Sequence, residues 1–414
     1  VIEKGNVRQD AETIRREVRD ILQPSGFVGK TGAHGVLEVK KDNSLINNGG
    51  IEVPTVGRRV HWNSFYKMCR EILEPIVERG GFVNERCGQH FHVLAGYFKD
   101  LRERNIYEME HPLPEIILAN FHQLCRRYEL AMFWIMSCGA SREHLTRWAK
   151  FRQSIFKYSA MSSRMSKVQS DLADNIVSMN NNQKGKYASV AYHFCEFNQS
   201  GDVSIFHIEN RIADGALSAA VVTAWAMLCY ALVLKAVRLS QYGVMEAGDE
   251  SYLTAVKNIQ PLLIQGEKND WNSDRRADTT ILTPKHIEWL QENTKELINF
   301  LKPELYNLGP AYDILMSLAQ TPCSLRLSRG QTWEQIEADL LENGGSHRSH
   351  GAETEVREII DLACIVDCEN LDIWVEEVAA NVGQATEEVR EIVQEMLQSG
   401  RYRWSHPIGA LITT

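Results

Sequence analysis

The chain has nine cysteines but no Cys-x-x-Cys pair, and they are odd in number and scattered. That pattern argues against both a disulfide framework and a zinc ribbon, and it suits reduced thiols in a cytoplasmic setting. No internal repeat and no low-complexity tract is present, so a solenoid or a biased linker protein is excluded. The first twenty residues are polar and helix-like and show no signal-peptide pattern. A phosphate-binding P-loop is missing too. Pro24-Ser25-Gly26-Phe27-Val28-Gly29-Lys30-Thr31 imitates one, but proline replaces the opening glycine and a helix rather than a strand precedes it.

An excess of basic residues is also lacking. Net charge is −9, and all of it lies at one end: residues 352–414 hold 13 Asp/Glu against 4 Lys/Arg, leaving 41 of each sign in the remainder. The rest of the composition is ordinary for a globular protein, with 44% hydrophobic and 24% charged residues over 414 positions, enough for at least two domains. One segment, Ala216 to Leu234, has no charged residue and is just long enough to span a bilayer. It stands alone, contains Ser218 and Thr223, and is followed by Lys235 and Arg238, so it reads as a buried core helix rather than a membrane span.

Periodicity organises the remainder. Ala11 to Leu22 and Asn63 to Arg79 carry apolar residues at helical spacing, as do Leu113 to Met136 and Arg142 to Phe156. Short strands are expected at Val36–Val39, ended by a turn at Asp42-Asn43-Ser44, and at Gly50–Pro54. Val83 to Val93 reads as a strand interrupted at Gly88. Tyr187–Phe197 and Val203–Arg211 alternate with period two around a turn at Asn198–Asp202, a hairpin signal. Gly266 to Thr283 reads as a loop, Thr283-Pro284 as a helix start opening a second helical block to about Glu342, and Asn343–Gly351 as a linker.

The chemistry-bearing residues sit on the expected strands. Residues two apart on a strand share a face, so His90 and His92 present two imidazoles side by side, with Gly88 giving close backbone access. Glu209 and Arg211 obey the same rule: the carboxylate suits a cation, and the planar guanidinium suits phosphate oxygens. Glu52 can supply a further carboxylate. A lone His-x-His is most often a surface or hydrogen-bonded pair, and Glu-x-Arg on a strand is commonly a solvated ion pair, so neither motif is specific by itself.

Taken in order, these segments resemble the amidoligase family, a branch of glutamine synthetase-like carboxylate–amine ligases. Cys87-Gly88-Gln89-His90-Phe91-His92-Val93 is similar to that family's Cys-Gly-x-His-Val-His stretch. Asp42-Asn43-Ser44 followed by Glu52 resembles its Asp-Gly-Ser turn and strand glutamate, and Ile208-Glu209-Asn210-Arg211-Ile212 its Glu-Phe-Arg segment. The resemblance covers roughly the first 240 residues. It implies ATP- and Mg²⁺-dependent formation of an amide or peptide-like bond through an acyl phosphate, from carboxylate and amine substrates that include peptides or proteins. Carried over by position, Glu3, Glu52, His90 and Glu209 become metal ligands, Arg211 and His92 catalytic residues, and Arg142 with Arg211 the nucleotide-binding cations. The family's first strand carries Glu-x-Glu; here Glu3 takes the second place and Val1 stands in the first. That departure keeps open an inactive, ligase-like scaffold, and the His₂Glu composition keeps open a zinc hydrolase.

The C-terminal unit reads as helix-turn-helix, Leu371–Ala380 and Ala385–Ser399, with Gly400–Trp404 starting a wing. Its second helix carries Glu387, Glu388, Glu391 and Glu395 against Arg390 alone, which disfavours nucleic acid and favours a protein partner. The expected architecture is therefore α+β: residues 1–240 form a glutamine synthetase-like antiparallel sheet packed with helices, 241–345 a helical extension, and 346–414 a linker and winged-helix-like unit, in a cytoplasmic protein without membrane contact.

Overall fold

The structure, a computed structural model, describes residues 2–4, 11–22, 39–42, 50–55, 62–83, 87–95, 97–98, 107–108, 112–138, 190–192, 195–243, 283–306, 308–343, 368–382, 385–400, 402–405 and 410–413. Along the chain run β1 (Ile2–Lys4), α1 (Ala11–Leu22), β2 (Lys40–Asp42), β3 (Gly50–Glu52), α2 (Trp62–Glu78), β4 (Gly81–Phe82), β5 (Phe91–Leu94), β6 (Tyr97–Phe98), β7 (Tyr107–Glu108) and α3 (Glu115–Ile135). Next come β8 (Val190–Ala191), β9 (Glu196–Phe197), β10 (Val203–Ile205), β11 (His207–Asn210) and α4 (Ala219–Ser240). The helices α5 (Pro284–Phe300), α6 (Lys302–Leu305), α7 (Ala311–Gln320), α8 (Cys323–Ser328) and α9 (Trp333–Asn343) follow. The C-terminal elements are α10 (Leu371–Val382), α11 (Thr386–Gln398), β12 (Tyr402–Ser405) and β13 (Ala410–Thr413). Helices combined with small antiparallel sheets make this a mixed α+β protein.

Helical periodicity translates directly into burial. The apolar stripes of α1 (Val18, Leu22) and α2 (Met68, Cys69, Ile72, Ile76) face the core. Helix α5 begins with a reciprocal cap: Thr283 Oγ1 accepts from the His286 amide and His286 Nδ1 accepts from the Thr283 amide, each at 3.3 Å. Pro284 follows the cap, where its missing N–H costs nothing.

Helix α4 occupies the middle. Ser218 caps it by accepting from the Val221 amide at 3.2 Å, and α2, α3 and α7 pack around it. It is long and apolar enough to cross a membrane, and most of it is buried inside the fold. Buried indoles tie the layers together: Trp225 Nε1 donates to the Ile135 carbonyl at 3.1 Å, and Trp134 Nε1 to that of Ala319 at 2.8 Å. Leu297, Leu315 and Ile336, from the helices after residue 283, belong to the same apolar core as Leu124 and Leu228. Truncating any such leucine to alanine costs about 2–5 kcal/mol.

The sheets are short. The largest described has the order β2-β3-β1-β4 and the next β5-β11-β8, beside the two-stranded pairs β9–β10, β12–β13 and β6–β7. A strand stands at Lys40–Asp42, whose ladder pairs Lys40 with Glu52 and Asp42 with Gly50, so Asp42 lies in a strand rather than in the expected turn, and buried Val39 precedes it. Residues 36–38 and the rest of the expected turn, Asn43 and Ser44, lie outside the described residues.

The hairpin expected around residue 200 is present, with a break. Phe197 pairs with Val203, and farther back Ala191 pairs with Glu209 and Val190 with Asn210. Its turn is held by Asn198, whose Oδ1 accepts from the amides of Ser200 and Asp202 at 2.9 Å. Gly201 adopts φ 86° there, a conformation that disfavours any side chain.

The C-terminal unit has a small core of its own from Trp374, Val378, Val389, Val393, Met396 and Leu411. Its β12–β13 hairpin pairs Tyr402 with Thr413 through Ser405 with Ala410 and touches both helices. The helix expected at Arg142–Phe156, the loop over 266–282 and the linker over 344–351 lie outside the described residues.

Candidate functional site

Strand β11 is the spine of the site. It pairs with β5 on one edge, Glu209 opposite His92 and Asn210 opposite Phe91, and with β8 on the other. Residues directly opposite one another in an antiparallel ladder share a face. One face therefore carries Phe91, Ile208 and Val190 into the core, and the other carries His92 and Glu209. Glu209 stands 117 positions after His92 in the chain, and the strand pairing is what brings them together.

The ladder does not run on evenly. Past its end, Gly88 bridges Asp214, the Gln89 amide donates to the Ala213 carbonyl at 3.0 Å, and the Gly215 amide to that of Cys87 at 3.0 Å. Two residues, Gln89 and His90, thus face three, Arg211 to Ala213. That is a bulge, a device that bends a strand and re-aims its side chains. The Asn210 side chain shapes it by accepting from the Ile212 amide at 3.0 Å. His90 and Arg211, expected on the strands themselves, each stand one residue outside them, because the extra residue ends the regular pairing there. The close approach needs glycine at 215: a Cβ there would lie 2.7 Å from the Cys87 Cβ.

The outcome is a cluster centred on one carboxylate oxygen. Glu209 Oε1 accepts from Arg211 Nη1 at 2.6 Å and lies 2.9 Å from His90 Nδ1 and 3.8 Å from His92 Nε2. The Glu209 side chain is only 4% exposed, whereas His90 and His92 rim the cluster at 29% and 40%. Burial alone would raise the Glu209 pKa, but the His90 hydrogen bond and the neighbouring Arg211 charge outweigh it and hold the carboxyl well below its usual range. Burial of the inner ring edge, helped by Arg211, pushes His90 down to about 4 against the pull of Glu209. His92 is lowered as well, by burial first and Arg211 next, opposed by Glu209 and Glu52. At neutral pH the cluster is an ionised carboxylate, a guanidinium and two neutral imidazoles.

Glu52 is exposed at the end of β3, and its charge reaches His92, so the first sheet contributes to the same region. Glu3 pairs through its backbone with Gly50 and Phe82 on β1, next to β3; its side chain, and all of Val1 and Arg142, lie outside the described residues. Sequence reasoning missed His207. Its Nε2 lies 2.7 Å from His92 Nδ1. The alternation that singled out Glu209 and Arg211 reaches back to 207, so the signal was there to extend.

The donor types are mixed: the carboxylates of Glu52 and Glu209 suit a hard divalent cation such as Mg²⁺, whereas the neutral imidazoles of His90 and His92 suit a borderline ion such as Zn²⁺. Among the described residues, however, no group of three or more His, Cys, Asp or Glu is arranged to hold a metal ion. Glu209 Oε1 is instead taken by Arg211 and His90. A cation would have to share that carboxylate with the guanidinium. No family model, no curated protein and no solved structure matches the chain.

Proposed function

We propose that the protein is an ATP- and Mg²⁺-dependent carboxylate–amine ligase of the amidoligase type, forming an amide or peptide-like bond through an acyl phosphate. The observation that carries this reading is the β5–β11 pairing, which gathers His90, His92, Glu209 and Arg211, distant in sequence, into one cluster. Glu209, Glu52 and His90 would hold the cation, which supplies charge neutralisation to the phosphates when bound. Arg211, already fixed by Glu209, is aimed as the cation for phosphate oxygens, with no reorganisation at the moment of transfer. His92, at the exposed rim, faces the side from which a substrate enters.

The test is direct. Purified protein with Mg²⁺ and ATP should release ADP in the presence of a suitable acid and amine, and Arg211→Ala should abolish that release. If a broad panel of carboxylates and amines yields neither ATP binding nor amine-dependent ADP release, the reading fails. A second reading, a ligase-like scaffold without catalysis, is favoured by the Glu209 carboxylate being held by Arg211 and His90 rather than arranged for a metal.

In the C-terminal unit Glu387, Glu388, Glu391 and Glu395 are all exposed, while Val389, Val393 and Met396 on the opposite stripe of α11 are buried. An acidic outward face on this helix repels phosphate backbones and suits a protein partner with a basic surface.

A further inference from the structure

The end of α3 and the start of α8 meet side by side, although they come from segments far apart in the chain. Ser137 and Ser324, 187 positions apart, are joined twice. The Ser324 amide donates to the Ser137 carbonyl at 3.0 Å, and the two hydroxyls lie 2.8 Å from each other. One step along each segment, in opposite directions, stand Cys138 and Cys323, and their thiols are hydrogen-bonded to each other. Both are free cysteines, and both belong to the main apolar core.

The backbone holds the two thiols in register. Trp134 Nε1 donates to the Ala319 carbonyl at 2.8 Å and braces the same contact from one side. From the other side, the Cys138 amide donates to Asp214 Oδ2 at 2.9 Å, and the Asp214 amide donates to the Met136 carbonyl at 3.2 Å. Residues facing each other across paired backbones have Cα atoms about 4.5–5.5 Å apart, inside the range of about 4.4–6.8 Å that a disulfide needs. Rotation about the two side-chain bonds is then enough to bring the sulfurs to bonding distance. Burial first, and then the hydrogen bond to Cys323, raises the Cys138 thiol well above its usual range. A thiol held in this way reacts slowly, and a buried contact leaves little room for a bulky adduct.

We infer that Cys138 and Cys323 are a redox modification site, a dithiol that a small-molecule disulfide such as oxidised glutathione closes into a cross-link between the end of α3 and the start of α8. One protein sulfur attacks the small disulfide and releases one thiol, leaving a mixed disulfide. The second protein sulfur then displaces the other thiol and completes the internal S–S bond. One S–S bond breaks and one forms; two electrons pass to the oxidant, and the two cysteine protons end on the two released thiols. The cross-link lies directly behind the bulge, because Asp214, which takes the Cys138 amide, also bridges Gly88. It uses neither ATP nor a cation and stands apart from the ligase reading.

The experiment uses the full chain, reduced, freed of reductant and incubated with excess oxidised glutathione, then alkylated in denaturant and read by mass and peptide mapping. A parallel arm adds urea below the unfolding transition, which opens the buried contact transiently and gives the oxidant access. The expected result is a cross-linked peptide holding Cys138 and Cys323, two fewer alkylated thiols and no retained glutathione, formed faster in the urea arm. The melting temperature of the oxidised protein should rise by about 5 °C, because the bond closes a long loop, and reductant should reverse the rise. Cys138→Ala and Cys323→Ala should each abolish both the cross-link and the rise. Nine free thiols in both arms, a glutathione adduct that persists on Cys138 or Cys323, or a cross-link between other cysteines overturns the inference. So does a Cys138–Cys323 bond that lowers the melting temperature. Should either variant not fold, the peptide map of the unmodified protein still decides.

Discussion

Two ion pairs between sequence neighbours invite comparison, Glu209 with Arg211 in the bulged ladder and Glu387 with Arg390 on the C-terminal helix. The pairs use the same chemistry in opposite surroundings. Glu209 is 4% exposed, Glu387 81%. On the surface, water screens both charges and neither depends on the other. In the ladder each charge is needed to keep its partner from being a buried orphan. A similar-looking ion pair is therefore structural machinery in one region and decoration in the other, and burial makes the difference.

The largest expected effect comes from breaking the inner pair. Glu209→Ala leaves Arg211 and two histidines around an empty position, and denaturant unfolding should show a loss of about 3–5 kcal/mol. If the loss is negligible, the cluster is not the buried network that its geometry indicates. Next is Gly215→Ala, which forces a Cβ against Cys87 where the bulge closes. Overpacking of this kind should cost about 1–3 kcal/mol, and ATP-dependent activity should fall with it as His90 and Arg211 lose their alignment.

Acid should separate the two regions as well. His90 titrates at about 4 in the folded protein, against about 6.5 when unfolded. Between those values the unfolded chain binds the extra proton, so stability falls as pH drops from about 6.5 toward 4. Glu209, held low, contributes stability that is present above the unfolded carboxylate range near 4.3 and is lost as acid reaches it. Thermal melts across this range should show a two-stage decline, and His90→Gln should shrink the upper stage, leaving the share that belongs to His92. The smallest effect is expected from Arg390→Ala, which should leave the melting temperature unchanged within error. A clear drop there would erase the contrast between the pairs.

Much of the local structure was legible in the sequence. The stripes of α1 and α2, the Thr283-Pro284 start of α5, the turn at Asn198–Asp202 and the α10–α11 pair all follow from spacing or from local hydrogen bonding within a few residues. The His-x-His and Glu-x-Arg patterns were legible for the same reason, since a period of two is a property of a single strand. Nothing local says which strand β11 will take as its neighbour. Nor does it reveal that one extra residue between Asn210 and Asp214 will move Arg211 off the regular ladder, or that His207 will end under His92.

By itself, then, the sequence determined the elements, their buried faces and the residue types able to act on a cation or a phosphate, because these depend on propensities and periodicities that operate within one segment. The tertiary structure decided that Glu209 Oε1 would be shared by Arg211 and His90, and that His92 would lean on His207. Those arrangements depend on a ladder between segments far apart in the chain and on the burial it imposes, and burial is what turns an ordinary carboxylate into the centre of a network.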